Sequence, residues 1–182
     1  MNIKCNDLES ERLFLKRLTI DFLSENYLSW LNDSDVNKYL ETKSGYTLEK
    51  LEGFLTNVER NNIYFWAIIR KDNLQHIGNI KIDPINESHK TGEYGILIGD
   101  KPSWGYGYGS EASLKILDYC FSEKLSLRKV TLGVVSDNKA ALSLYHKLGF
   151  IEEGLYRKHV FHNNKWCDIV RMAKFNPQIQ CS

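Results

Sequence analysis

Three glycines at alternate positions, Gly105, Gly107 and Gly109, fall within Trp104-Gly105-Tyr106-Gly107-Tyr108-Gly109-Ser110-Glu111, between an alternating apolar segment and an amphipathic one. A turn of this kind joins a strand to a helix and restricts the chain to folds that mix the two. Glycines let the backbone approach a ligand closely and turn successive N–H groups inward. With a helix N-terminus behind them they can cradle a pyrophosphate without a lysine. A tight strand-to-helix turn that holds nothing fits the same residues. Two other nucleotide motifs fail on spacing. A Walker loop needs GK[ST], which is absent; a dinucleotide fingerprint needs a third Gly or Ala where Ser110 stands, and an acid where Lys129 and Val130 lie.

The periodicity around this turn sets the remaining elements. Residues 13–18 alternate as an opening strand. Thr19 offers an N-cap for a helix carrying Leu23, Tyr27, Trp30 and Leu31 on one stripe. A second helix is expected from Thr47, with Leu48, Leu51, Leu55 and Val58 buried and Gly53 inside it, where a glycine weakens a helix. Residues 64–69 are an unbroken apolar run suited to the middle of a sheet. Strands are predicted around Ile80 and Ile82, over 92–99 and over 130–135, with a helix marked by Leu114, Leu117, Cys120 and Phe121. Asn138 caps the best-defined helix, whose stripe is Ala141, Leu144, Tyr145 and Leu148. Gly149 takes the left-handed position after it and Phe150 packs back. Strands over 151–161 and 166–175 pair across a turn at 162–165. The order β-α-α-β-β-β-α-β-α-β-β predicts one α/β (α+β) domain over residues 1–182, antiparallel early and parallel around the glycine-rich helix.

A chain of 182 residues suits one core. Apolar content of 42% with 26% charged residues is ordinary for a globular protein, and a net charge of +1 gives no field to draw it to nucleic acid or an anionic membrane. Cys5, Cys120, Cys167 and Cys181 form no CxxC pair and no zinc spacing with a histidine, so no metal is expected and the thiols read as reduced. With no apolar leader and no run long enough to cross a bilayer, a cytoplasmic location is expected.

The run Trp104–Glu111 resembles the acetyl-CoA pyrophosphate loop of the GNAT N-acetyltransferase superfamily, in the W-G-x-G-x-[AG]-[ST]-E form of its RimJ/RimL-like branch. Asn138-Lys-Ala-Ala141-Leu-Ser-Leu-Tyr145-His-Lys-Leu-Gly149-Phe150 resembles that superfamily's second motif, N-x-x-A-x-x-x-Y-x-x-x-G-F. The two stand in the right order at the right distance, and the likeness spans nearly the whole chain. It implies the GNAT fold: a central mixed sheet of about seven strands, helices on both faces, and two parallel strands, here 92–99 and 130–135, that splay apart. It also implies acetyl-CoA as cosubstrate. Leu97 and Ile98 would bond the pantetheine arm through their backbones. Trp104, Gly105, Tyr106, Gly107, Tyr108, Gly109 and Ser110 would hold the pyrophosphate, and Asn138, Ala141 and Tyr145 would face the thioester end.

Acyl transfer needs a neutral amine, a stabilised oxyanion and a protonated leaving thiolate. Tyr145 can be the acid, although its place on the apolar stripe equally suits a core aromatic. Glu93 can take the amine proton directly or through water, or can be a solvated strand-end carboxylate. Asn138 fits both a cap and a cofactor contact. His76, His89, His146 and His159 are weaker bases by position, and Glu111 complements the helix dipole.

The acceptor segment is Tyr27-Leu-Ser-Trp30-Leu-Asn32-Asp33-Ser-Asp35-Val-Asn37-Lys38-Tyr39-Leu40-Glu41. It resembles a segment of GNAT enzymes that acetylate nucleotide-linked amino sugars for surface polysaccharides. That likeness implies Tyr27, Trp30, Asn32, Asp33 and Tyr39 as acceptor contacts, though an ordinary surface helix has the same composition. The resulting expectation is N-acetylation of a nucleotide-linked amino-deoxy sugar such as a dTDP-3-amino-3,6-dideoxyhexose. Protein N-termini and polyamines are the alternatives, and a homodimer is possible.

Overall fold

The apolar run at 64–69 becomes strand β3 (Tyr64–Arg70), and its central residues Trp66, Ala67 and Ile68 are fully buried. In the computed structural model residues 5–40, 45–162 and 164–179 are described; Glu41, Asn163 and Cys181 lie outside them. β1 (Leu8–Glu9), β2 (Leu13–Arg17), β3 and β4 (His76–Asn86) precede β5 (Thr91–Ile98), β6 (Lys129–Val135), β7 (Ile151–His162) and β8 (Lys165–Phe175). They hydrogen-bond in the order β1-β2-β3-β4-β5-β6-β8-β7. The sheet has eight strands where about seven were expected. The addition is β1, whose two residues pair with Leu15 and Phe14 and are too few to carry a period of their own.

Contacts divide the chain into two units, Met1–Asp83 with Gly95–Lys115, and Pro84–Tyr94 with Ile116–Ser182. The first holds β1 to β3, antiparallel, with α1 (Glu25–Asn32) and α2 (Leu48–Arg60). Their core joins Leu18, Tyr27, Trp30, Leu31, Leu51, Leu55, Val58 and Ala67. Thr19 caps only a 3₁₀ turn, Ile20–Phe22. Leu23 is extended, and the helix starts one residue beyond Ser24, whose Oγ accepts the Tyr27 N–H at 3.2 Å. α2 runs unbroken through Gly53, where an added Cβ would meet nothing. Leu48, expected inside, is exposed at the helix start.

The second unit is built on β6, β8 and β7. β6 and β8 pair antiparallel over all seven residues of β6, and the first three residues of β5, Thr91 to Glu93, pair parallel with Lys129 to Thr131. β5 runs on to Ile98 and β6 to Val135 beyond the last of those parallel pairs. α4 (Lys139–Lys147) forms as its termini dictate. Asn138 Oδ1 accepts the Ala141 N–H at 3.2 Å, Gly149 has φ +83°, and the Phe150 N–H returns to the Tyr145 carbonyl at 3.0 Å. Tyr145, Leu148 and Phe150 are buried. α3 (Tyr108–Phe121) begins within the glycine-rich turn, and its Leu114 is exposed rather than buried.

Candidate active site

The turn that precedes α3 is shaped by its glycines. Gly105 and Gly107 both have φ +82°, the left-handed region that an L side chain adopts only with strain. A Cβ on Gly105 would meet no atom, and one on Gly107 only Arg12 Nη2 at 3.7 Å, so these glycines do not make room for the protein itself. Among the described residues, the main-chain N–H groups of 105–110 have no protein acceptor. Six main-chain donors, three of them in the first turn of a 14-residue helix, are thus left without a protein partner. That is the donor set a diphosphate requires.

Side chains brace the turn. Glu111 accepts from Ser10 Oγ and the Arg12 N–H, each at 2.7 Å, and from Arg12 Nε at 2.6 Å. Burial raises the Glu111 carboxyl, but these hydrogen bonds together outweigh it and hold the group below the usual range. Arg12 also donates to the Tyr106 carbonyl at 3.1 Å and lies 4.7 Å over the Tyr108 ring. Glu111 thus does more than complement a dipole: it ties the turn to the start of β2. Trp104 is exposed, and its indole donates to the Ile98 carbonyl at 2.8 Å. Tyr106 is exposed and stacked on Tyr108.

The second unit carries the groups suited to proton chemistry. Tyr145 sits against Tyr94 and Phe150, ring centroids 5.9 and 5.8 Å away, and burial pushes its phenol up to about 12. Glu93 is not a solvated carboxylate. Arg171 grips it with two nitrogens at 2.7 and 2.8 Å, and Thr131 Oγ1 donates to it at 2.6 Å. The pairing in turn raises the Arg171 guanidinium.

Arg171 escaped the sequence reading because it lies 78 residues from its partner. The available signal was Gly133, a glycine within an otherwise aliphatic strand. It pairs directly with Arg171, and a Cβ there would come within 2.8 Å of Arg171 Nη1.

The acceptor segment differs from its expectation. Tyr27 and Trp30 are only 3% and 4% exposed and stand in the first unit's core, so neither offers a face to a sugar or base. Trp30 packs against Gly99 so closely that a Cβ on the glycine would overlap its ring. His76, ranked among the weaker bases, has its ring centroid within 5.6 Å of those of Phe22, Tyr27 and Trp30, and its Nε2 bonds Gly78 O and Asn79 Oδ1. Burial lowers its pKa. Asn32 is exposed, but its amide organises the loop at Gly45 and Tyr46. Asp33 caps Asp35 and Val36 and pairs with Lys101 at 2.6 Å. Tyr39 is partly exposed.

The sequence profile of the acetyltransferase (GNAT) domain matches residues 12–151. This chain belongs to the GNAT acetyltransferase family. The uncharacterized N-acetyltransferase YoaA of Bacillus subtilis is 28% identical to it over 160 residues, 86% of this chain and 89% of that one. The spermidine N(1)-acetyltransferase of Vibrio cholerae is 27% identical over 141 residues, covering 78% and 80%. A crystal structure of spermidine N-acetyltransferase from Vibrio cholerae with CoA and spermine aligns with TM-score 0.83 at 25% identity, over 92% of this chain and 97% of that one. A GNAT acetyltransferase from Bacillus anthracis shares the fold, with TM-score 0.82 at 24% identity over 95% and 100%. The chain is therefore a GNAT enzyme, an acetyl-CoA-dependent N-acetyltransferase. Among the described residues no cluster of three or more His, Cys, Asp or Glu could hold a metal ion, and no helix is long and apolar enough to cross a membrane.

Proposed function

We propose that this GNAT enzyme acetylates the primary amine of a nucleotide-linked amino-deoxy sugar. One observation carries the choice: among the described residues the carboxylates of the expected acceptor segment, Asp33 and Asp35, and those of the site, Glu93 and Glu111, are already matched to cations of the chain. Lys101 lies 2.6 Å from Asp33 and 3.3 Å from Asp35, Arg12 pairs with Glu111, and Arg171 with Glu93. A polyamine would have to displace these partners, whereas a hydroxyl-rich acceptor with a single amine would not. The likeness of residues 27–40 to amino-sugar enzymes adds support. Tyr39 is the aromatic among the expected contacts that is not buried.

Acetyl-CoA supplies an acyl group on a thioester, and the chain's own groups divide the rest. In this reading the turn amides of 105–110 would hold the diphosphate and the Leu97 and Ile98 backbones the pantetheine arm, and the motif residues Asn138 and Ala141 would act at the thioester. The amine nitrogen attacks the thioester carbon, forming the amide bond as the C–S bond breaks. The thiolate takes a proton and the nitrogen loses one.

Both Glu93 oxygens are engaged by Arg171, so Glu93 would take that proton through a water rather than by direct contact. This suffices for an amine flanked by electron-withdrawing carbons. With a pKa near ~8, roughly a tenth is free base at neutral pH. Tyr145, raised to about 12, keeps its proton throughout the physiological range. Complete transfer to a thiolate near ~8.5 would be uphill by on the order of 5 kcal/mol. Tyr145 therefore acts by hydrogen-bonding the thiolate as it forms rather than by protonating it in advance.

The second reading, a polyamine acetyltransferase, is favoured by the spermidine enzyme of Vibrio cholerae among the relatives. Thiol release from acetyl-CoA, measured against nucleotide-linked amino sugars, spermidine, spermine and N-terminal peptides, separates the readings. The highest kcat/KM is expected with a nucleotide amino sugar. A response confined to polyamines or to peptides overturns the proposal.

A further inference from the structure

β4 is an inner strand, with β3 on one side and β5 on the other. Residues two apart on a strand share a face, and directly paired residues of neighbouring strands point the same way. Asn79 pairs with Ala67, and Lys81 with Phe65. Ala67 belongs to the core that α1 and α2 cover, and Phe65 packs against it. Asn79 and Lys81 therefore stand on the covered face of the sheet, where aliphatic side chains are the rule.

Each presents a donor that the fold does not use. Gly78 O can only accept, so His76 Nε2, 2.9 Å away, carries the hydrogen. The same nitrogen lies 3.1 Å from Asn79 Oδ1, which fixes the amide with its oxygen toward the histidine. Asn79 is 2% exposed, and its Nδ2 has no protein partner among the described residues. A buried donor in that state needs a ligand or a water. Among the described residues the Lys81 ammonium makes no hydrogen bond, and the Asp83 carboxylate stands 4.0 Å off, beyond hydrogen-bond reach. By contrast Lys101 and Arg12 are each held by a carboxylate at 2.6 Å.

Glycines place these donors. A Cβ on Gly95 would come within 3.3 Å of Lys81 Cε and 3.5 Å of its Cγ, so the lysine stem lies in the space that glycine leaves. A Cβ on Gly78 would overlap the Leu97 carbonyl oxygen. The residues after Gly78 thus run beside the part of β5 whose backbone would hold the pantetheine arm.

We infer that Lys81 binds the diphosphate of the acceptor, with Asn79 Nδ2 as a second donor on the same face. This rests on the nucleotide-linked acceptor proposed above and adds the residue that selects it. An ammonium without a close carboxylate attracts a diphosphate and repels a polyamine. The Lys81 side chain is 37% exposed, so a ligand can reach it.

Calorimetric titration of dTDP into the CoA-saturated enzyme tests this, because CoA then occupies the glycine-rich turn. The wild-type complex is expected to bind dTDP. Lys81→Ala should weaken that binding about tenfold or more, and Lys81→Arg should stay within about threefold. Both variants should keep CoA affinity within about twofold, which a misfolded chain would not. No binding to the wild-type complex, equal affinity in Lys81→Ala, or release of CoA by dTDP overturns the inference. A thiol-release panel that answers to nucleotide amino sugars while dTDP ignores Lys81 overturns this subsite alone. A panel that answers only to polyamines, with dTDP binding still dependent on Lys81, overturns the acceptor reading and leaves the diphosphate subsite standing.

Discussion

The glycine-rich turn at 104–111 and the aromatic segment at 27–39 both lie in the first unit and both pointed to ligands, yet the structure treats them oppositely. The turn leaves its main-chain donors without a protein acceptor among the described residues. The segment turns its two most prominent rings inward, and its Asn32 and Asp33 are occupied with local hydrogen bonds and an ion pair. The difference lies in which atoms carry the message. Alternating glycines specify backbone conformation, and backbone conformation fixes where N–H groups point. Aromatic residues mixed with Asn and Asp specify only that a helix has an apolar stripe and polar neighbours, and a core-facing helix satisfies that as well as a binding surface does.

Trp30→Ala tests this contrast with the largest expected effect. If Trp30 is core, the loss should be about 3–5 kcal/mol of stability, the range for removing a large buried aromatic. Urea unfolding would show it as a lower midpoint at unchanged slope, with CoA affinity retained in the folded fraction. A variant as stable as the wild type but with a raised KM for the amino sugar would return Trp30 to the acceptor site and dissolve the contrast.

The elements that could be read in advance have local causes. α4 was legible because Asn138, the Ala141–Leu148 stripe and Gly149 lie within twelve residues and each acts on its neighbours. β3 was legible because an unbroken apolar run has few other uses. The start of α1 was misplaced because Thr19 and Ser24 are both competent caps; the choice fell to Leu23, whose extended backbone nothing nearby in sequence dictates. The ion pairs at the site were invisible for a similar reason. Glu93 meets Arg171 and Glu111 meets Arg12 only after strands far apart in sequence are brought together. Without those partners Glu93 could be read equally as a base or as a solvated carboxylate.

Tyr145 stands between the two cases, since it is buried like Trp30 yet belongs to the motif that carries the chemistry. Tyr145→Phe keeps the ring against Tyr94 and Phe150 and removes only the hydroxyl. Turnover should fall by about a hundredfold or more, as expected for loss of a hydrogen bond made to the thiolate as it forms, while CoA affinity measured by calorimetry stays within about twofold. Unchanged turnover would leave Tyr145 a core aromatic and nothing else, placing it with Trp30.

Gly107→Val should have the smallest effect and probes the other side of the contrast. No protein atom crowds the added carbon closely, since Arg12 Nη2 at 3.7 Å is an ordinary contact. The cost is therefore conformational: a β-branched residue at φ +82° is strained by roughly 1–2 kcal/mol and tends to swing its neighbours' N–H groups away. CoA binding should weaken about tenfold, with only a modest fall in thermal stability. Gly107 lies in the turn and not in the core, so the ratio of the two effects matters more than either alone. Lost affinity with little lost stability is the signature of a backbone shaped for a ligand. Lost stability with intact affinity would mean that the glycines serve the fold, as the aromatics of α1 do.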